Sequence, residues 1–173
     1  MKTRIFFVDD DPMLLASTRR QLRRKLGDCE LLFFEKATEA LEAMAKTPAQ
    51  VVLSDLRMPG MDGAEFLAKV AEFYPETIRL AWTGQSEINQ LNRVFETAHQ
   101  IFSKPCPTDS LLEKMTNAIQ VANQPVADRK PLTPKAEREA SPQPPNLVGR
   151  TFGSDPFLSP KSLARLSRST DSR

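Results

Sequence analysis

Ile5-Phe6-Phe7-Val8 runs directly into Asp9-Asp10-Asp11, and a second apolar run, Val51-Val52-Leu53-Ser54, stops at Asp55. Short continuous apolar runs of this length are the signature of strands buried on both faces. Two such strands that each end at a carboxylate predict a parallel sheet carrying negative charge on one edge. Crowded carboxylates repel and raise one another's pKa, so the arrangement is unfavourable unless a cation neutralises it. Oxygen-only donors select a hard ion such as Mg²⁺, which binds through few carboxylates and keeps waters that a phosphate can replace. The pattern points to phosphate chemistry.

Outward from these two runs, strand-like segments alternate with amphipathic ones as far as about Asn123. The predicted strands are Arg4–Val8, Glu30–Phe34, Gln50–Ser54, Thr77–Trp82 and Gln100–Ser103. Leu15, Thr18, Leu22 and Leu26 share one helical face, with Asp11-Pro12 as N-cap and first-turn proline and Gly27 as a stop. Ala37, Ala40, Leu41 and Met44 form a second stripe, and Phe66, Leu67, Val70 and Phe73 a third. The fourth helical segment, roughly 86–99, is anchored by Ile88, Leu91 and Val94-Phe95; Leu111, Leu112, Met115 and Ile119 mark the fifth. The pattern predicts an α/β fold, a doubly wound five-stranded parallel sheet with helices on both faces.

Composition divides the chain in two. Residues 1–123 are slightly acidic, net −2, whereas residues 124–173 are basic, net +4, and hold eight of the fourteen prolines. The first part is expected to be the folded domain. The second, Pro/Ser-rich and poor in apolar residues, is expected to be a mostly disordered tail, because it cannot bury enough surface to offset ordering entropy. A short helix at 159–168 is the exception, presenting Leu163 and Leu166 beside Phe157-Leu158 as a segment that could fold into a partner's groove. The tail's nine basic residues are spread thinly, with Phe152 and Phe157 as its aromatics, which argues against nucleic acid as a partner. No stretch approaches the ~20 apolar residues of a membrane span, and Met1-Lys2-Thr3-Arg4 leads into too short an apolar run for a signal peptide. Cys29 and Cys106 lack metal-like spacing and read as reduced thiols, so a cytoplasmic protein without membrane insertion is expected.

In a doubly wound sheet, ligands bind outside the carboxyl ends of the strands. There the acidic triplet, Asp55, Thr83 after the fourth strand and Lys104 after the fifth would meet. The run Ser54-Asp55-Leu56-Arg57-Met58-Pro59-Gly60-Met61-Asp62-Gly63, with Thr83 and Lys104 at their spacings, resembles the receiver domain of bacterial two-component response regulators over about residues 3–122. The wording is also similar to receivers associated with HD-GYP regulators.

The resemblance implies a flavodoxin-like receiver in which Asp55 is the phosphoacceptor. Asp9, Asp10 and Asp55 would hold Mg²⁺ together with the Arg57 backbone carbonyl. Thr83 and Lys104 would bond the phosphoryl group, and Lys104-Pro105 would be cis. It implies a response regulator in a phosphorelay, phosphorylated by a sensor histidine kinase or phosphotransfer protein. Such a domain is no enzyme beyond assisting its own phosphorylation and dephosphorylation. No folded output domain is expected in the remaining fifty residues, so the signal would pass to an unknown downstream protein by contact. A homodimer through the surface of the fourth helical segment, fifth strand and fifth helical segment is also consistent with the resemblance. Ile101 departs from the pattern, for it stands where many receivers carry a rotating aromatic switch residue. With the long tail, Ile101 supports an alternative: an adaptor or scaffold that docks partners irrespective of phosphorylation. Taken singly, the same residues have ordinary readings. Asp11 serves as a helix cap, Pro59-Gly60 as a type II turn, His99 as a solvated residue before the fifth strand, and Arg19-Arg20 with Arg23-Arg24-Lys25 as a solvated helix face.

Overall fold

A computed structural model of the chain describes residues 2–84 and 93–129. The predicted helix at 159–168 and residues 86–92 of the fourth helical segment lie outside those residues. The described elements are β1 (Arg4–Val8), α1 (Pro12–Arg23), β2 (Glu30–Phe34), α2 (Ala37–Lys46), β3 (Val51–Asp55), α3 (Gly63–Phe73), β4 (Ile78–Thr83), β5 (Gln100–Ser103) and α4 (Thr108–Ala122). A single 3₁₀ turn, Val126–Asp128, follows α4.

The strands form one parallel sheet in the order β2-β1-β3-β4-β5, so β1, β3 and β4 are interior. Successive side chains along a strand point to opposite faces, and that alternation builds two cores. Ile5, Phe7, Leu53, Leu80 and Phe102 pack with Leu15 and Leu22 of α1 and Leu111 and Met115 of α4. Phe6, Val8, Val52 and Ala81 pack on the other face with Met44 of α2 and Phe66, Leu67 and Val70 of α3. The continuous apolar runs are continuous because both of their faces are covered. β3 illustrates this: all five of its residues are buried.

Helix starts follow local chemistry. The Asp11 carboxylate accepts from the N–H groups of Met13 (2.8 Å) and Leu14 (3.1 Å), and Pro12 opens α1. The Asp62 carboxylate caps α3 by accepting from Glu65 N–H at 2.8 Å. Two expected apolar anchors do not pack. Phe73 is 64 % exposed, because it is the last residue of α3 and the next residue, Tyr74, takes the place against the core. Phe95 is 65 % exposed while its neighbour Val94 is fully buried, as a helical turn allows for only one of two consecutive side chains. Both cysteines are free thiols. Among the described residues no helix is long and apolar enough to cross a membrane.

Candidate functional site at the carboxyl ends of the strands

The sheet register brings the site together. Val8 lies opposite Ser54, so Asp9 and Asp55 leave adjacent interior strands side by side. Asp55 lies opposite Trp82, and Thr83 opposite Ser103. The Lys104 N–H then donates to the Thr83 carbonyl at 2.7 Å, which extends the ladder to the lysine. Two carboxylates, a hydroxyl and an ammonium thus end at one edge for purely backbone reasons.

Asp9 and Asp55 are buried, 3 % and 5 % exposed, and the Lys104 ammonium lies between them. It donates to Asp9 Oδ2 at 2.6 Å and to Asp55 Oδ1. The second oxygen of each carboxylate is held by backbone: Asp11 N–H donates to Asp9 Oδ1 at 2.9 Å and Arg57 N–H to Asp55 Oδ2 at 2.7 Å. Burial raises the pKa of Asp55 above the usual carboxylate value. The charge of Asp9 adds to the rise, whereas Lys104 and the Arg57 N–H only partly oppose it. Burial works against the Lys104 ammonium as well, but bonds to Asp55 and Asp9 and their charges outweigh it and hold its pKa above that of an ordinary lysine. Two carboxylates sharing one ammonium leave surplus negative charge in a half-closed place.

Of the other expected residues, Asp10 is exposed beside this pair and Thr83 is buried, its hydroxyl donating to the Gly84 carbonyl at 3.1 Å. Ile101 is half-buried on the α2/α3 face, packed against the second core, whereas Phe102 turns to the α1/α4 face. The Lys104-Pro105 peptide is cis. Among the described residues no group of three or more carboxylate, thiol or imidazole side chains converges to hold a metal unaided. The donors nonetheless fit Mg²⁺: every one is oxygen, and this ion needs few carboxylates because it retains waters. Asp9 and Asp55 would be its buried ligands, with Asp10 and the Arg57 carbonyl beside them.

The chain from residue 5 to residue 116 matches the family model described as the response regulator receiver domain. The chain belongs to that family. As a receiver it resembles the C4-dicarboxylate transport transcriptional regulatory protein DctD of Pseudomonas aeruginosa, 29 % identical over 88 % of this chain and 32 % of that protein. It is also similar to the DNA-binding transcriptional regulator NtrC of Escherichia coli K12, 32 % identical over 70 % of this chain and 26 % of that one. The chain therefore spans about a third or less of these relatives' length. Among solved structures, the receiver domain of an HD domain-containing protein from Pseudomonas fluorescens Pf-5 superposes with a TM-score of 0.66 at 26 % identity, over 70 % of this chain and 98 % of that one. A CheY-like receiver from Methanospirillum hungatei JF-1 gives the same TM-score and identity over 70 % and 97 %.

Gly63 and Arg93 support the receiver site without having been assigned a part in it from the sequence, and the expectation for His99 is overturned. A Cβ at Gly63 would lie 1.8 Å from the Asp55 carbonyl oxygen, so only glycine lets α3 start against the strand that carries Asp55. Arg93 pairs with Asp62 at 2.8 Å, tying the segment before β5 to the start of α3. His99 is not a solvated residue: it is half-buried, and its Nδ1 accepts the Arg79 N–H at 3.0 Å. Burial, then the charges of Arg79 and Arg129, pushes its pKa down to about 4. The glycine was readable as part of the Asp62-Gly63 run; the histidine's partner, twenty residues away, was not.

Proposed function

We propose that Asp55 is the phosphoacceptor of a two-component response regulator, phosphorylated by a histidine kinase or phosphotransfer protein in a Mg²⁺-dependent reaction. The observation that carries this reading is the Lys104 ammonium bridging two buried carboxylates at the carboxyl edge of the sheet. An Asp55 oxygen attacks phosphorus in line. The O–P bond forms as the donor's bond to phosphorus breaks, and the electron pair leaves with the donor. Asp55, anionic once Lys104 and a divalent cation offset its neighbours, must meet an anionic phosphoryl group, so positive charge placed in advance lowers the barrier. Mg²⁺ supplies charge neutralisation at the phosphoryl oxygens when bound. Lys104 can turn from carboxylate to phosphoryl oxygen without leaving the site, and the Thr83 hydroxyl is the donor nearest along the ladder.

Phosphorylation adds charge and acceptor oxygens beside Lys104 and Thr83, which biases the carboxyl end of β4 and so alters contacts with a downstream protein. The direct test is labelling by acetyl phosphate with and without Mg²⁺, in wild type and Asp55→Asn. Labelling that needs both Mg²⁺ and Asp55 is expected. Equal labelling of the variant would remove Asp55 from its role, and no labelling of either would leave a phosphorylation-independent scaffold in a cytoplasmic signalling complex as the function.

A further inference from the structure

Trp82 is the sole tryptophan of the chain and stands immediately before Thr83. It turns to the α1/α4 face, opposite to Ile101. Three observations meet on its side chain. The Lys104 ammonium lies 5.3 Å from the indole ring centroid, within cation–π range. The ring is 6 % exposed, yet its buried Nε1–H has no hydrogen-bond partner among the described residues. The same ring lines a groove of about 320 Å³ between α1 and α4, together with Leu14, Thr18, Lys104, Pro105 and Leu111. Across this groove the Thr108 hydroxyl donates to Gln21 Oε1 at 3.0 Å and so links the two helices.

A buried donor without an acceptor is unfavourable, and a residue held that way gains if a neighbouring change lets it move. Here the neighbour is Lys104, which touches both the carboxylates and the indole. The groove beside the ring supplies room for movement. Ile101 has neither a ring to rotate nor a place on this face.

We propose that Trp82 positions Lys104 through its π-face and relays the lysine's displacement on phosphorylation to the α1–α4 groove. The proposal rests on Asp55 being the phosphoacceptor. It makes Trp82 a positioning residue rather than a catalytic one, because the indole acts through Lys104. It also places the response of this receiver on the face away from Ile101.

The test uses the full chain with acetyl phosphate and Mg²⁺, following intact mass for labelling and methyl NMR signals of Leu14 and Leu111 for the groove. In wild type, labelling shifts both leucines. Trp82→Phe keeps a ring over the ammonium and is expected to label within about twofold of wild type and to shift the same leucines. Trp82→Leu loses the π-face and is expected to label about threefold to fivefold more slowly, with the leucine shifts largely lost and Lys104 still present. If Trp82→Leu does not fold, Trp82→Met replaces it, a longer and more flexible side chain that adapts to the space and has no ring. A ring-less variant that labels at the wild-type rate with full leucine shifts overturns the proposal. So does a labelled wild type whose leucines stay in place. A wild type that cannot be labelled overturns the phosphoacceptor reading instead, and this inference falls with it.

Discussion

The carboxyl edge of the sheet and the amino end of β4 hold charge in opposite ways. At the carboxyl ends, Asp9 and Asp55 meet the Lys104 ammonium, charge against charge. At the amino end of β4, away from the Arg4–Glu30 ion pair of β1 and β2, the Arg79 guanidinium is met by neutral carbonyls: Thr97 at 2.6 Å, Thr77 at 2.9 Å and Pro75 at 3.2 Å. Arg129 is held likewise by the carbonyls of Glu76 (2.6 Å), Ala122 (3.1 Å) and Gln124 (3.2 Å). Backbone carbonyls are fixed by the fold and cannot be exchanged for a ligand, so this end of β4 is a clamp. A carboxylate pair sharing one ammonium can trade that partner for a metal or a phosphoryl oxygen, so the carboxyl end is a site. Charge alone does not mark a functional site; what satisfies the charge does.

The strongest way to break this contrast is to disturb the frame of the carboxyl end without touching its charges. Gly63→Ala sets a methyl 1.8 Å from the Asp55 carbonyl oxygen. It is expected to lose about 3 kcal/mol or more of stability by urea denaturation, and Asp55 labelling with it. Next comes the clamp itself. Arg79→Leu orphans three carbonyls and is expected to lose about 2 kcal/mol, while acetyl phosphate labelling of the protein that remains folded is unchanged.

His99 sharpens the contrast through pH. Its folded pKa of about 4 lies below the ordinary value of ~6.5. On acidification the unfolded chain therefore takes up the proton first. The contribution is full above about pH 6.5 and is lost as the pH falls toward 4, roughly 1–2 kcal/mol for a half-buried ring. His99→Asn should flatten that part of the stability–pH curve, measured by denaturation at a series of pH values. Asp55 behaves with the opposite sign. Its pKa is raised, so the fold favours the neutral form, and stability falls as pH rises through that value. Without Mg²⁺, Asp55→Asn should melt about 1–2 °C above wild type at pH 7, and the gap should close on acidification.

Much of this was legible in the residues, and the reasons are physical. Three strands, Arg4–Val8, Glu30–Phe34 and Gln100–Ser103, have the bounds the sequence predicts; β3 and β4 sit one residue later than predicted. Parallel strands covered on both faces leave an unbroken apolar record, and a strand that stops at a carboxylate announces its functional end. The stripes of α1 and α2 were equally plain. Phe73 and Phe95 were not, because periodicity says which face a side chain takes but not where the opposing surface ends. His99 was hidden because its environment is made by Arg79 and Arg129, distant in sequence. The need for glycine at position 63 and the place of Trp82 under Lys104 depend on how strand and helix ends meet, which no local pattern records.

The pairing of β1 with β3 has one more consequence. Parallel neighbours are held ~4.8 Å apart by main-chain hydrogen bonds, so the gap between Asp9 and Asp55 is set by the backbone and not by the side chains that use it. The sheet acts there as a gauge. Lengthening either side chain by one methylene, aspartate to glutamate, would push a carboxylate about 1.5 Å beyond its mark, a sizeable part of the whole gap. A swap that conserves charge would pass unnoticed at the exposed Asp109 on α4, but between these strands it would be an error of measurement.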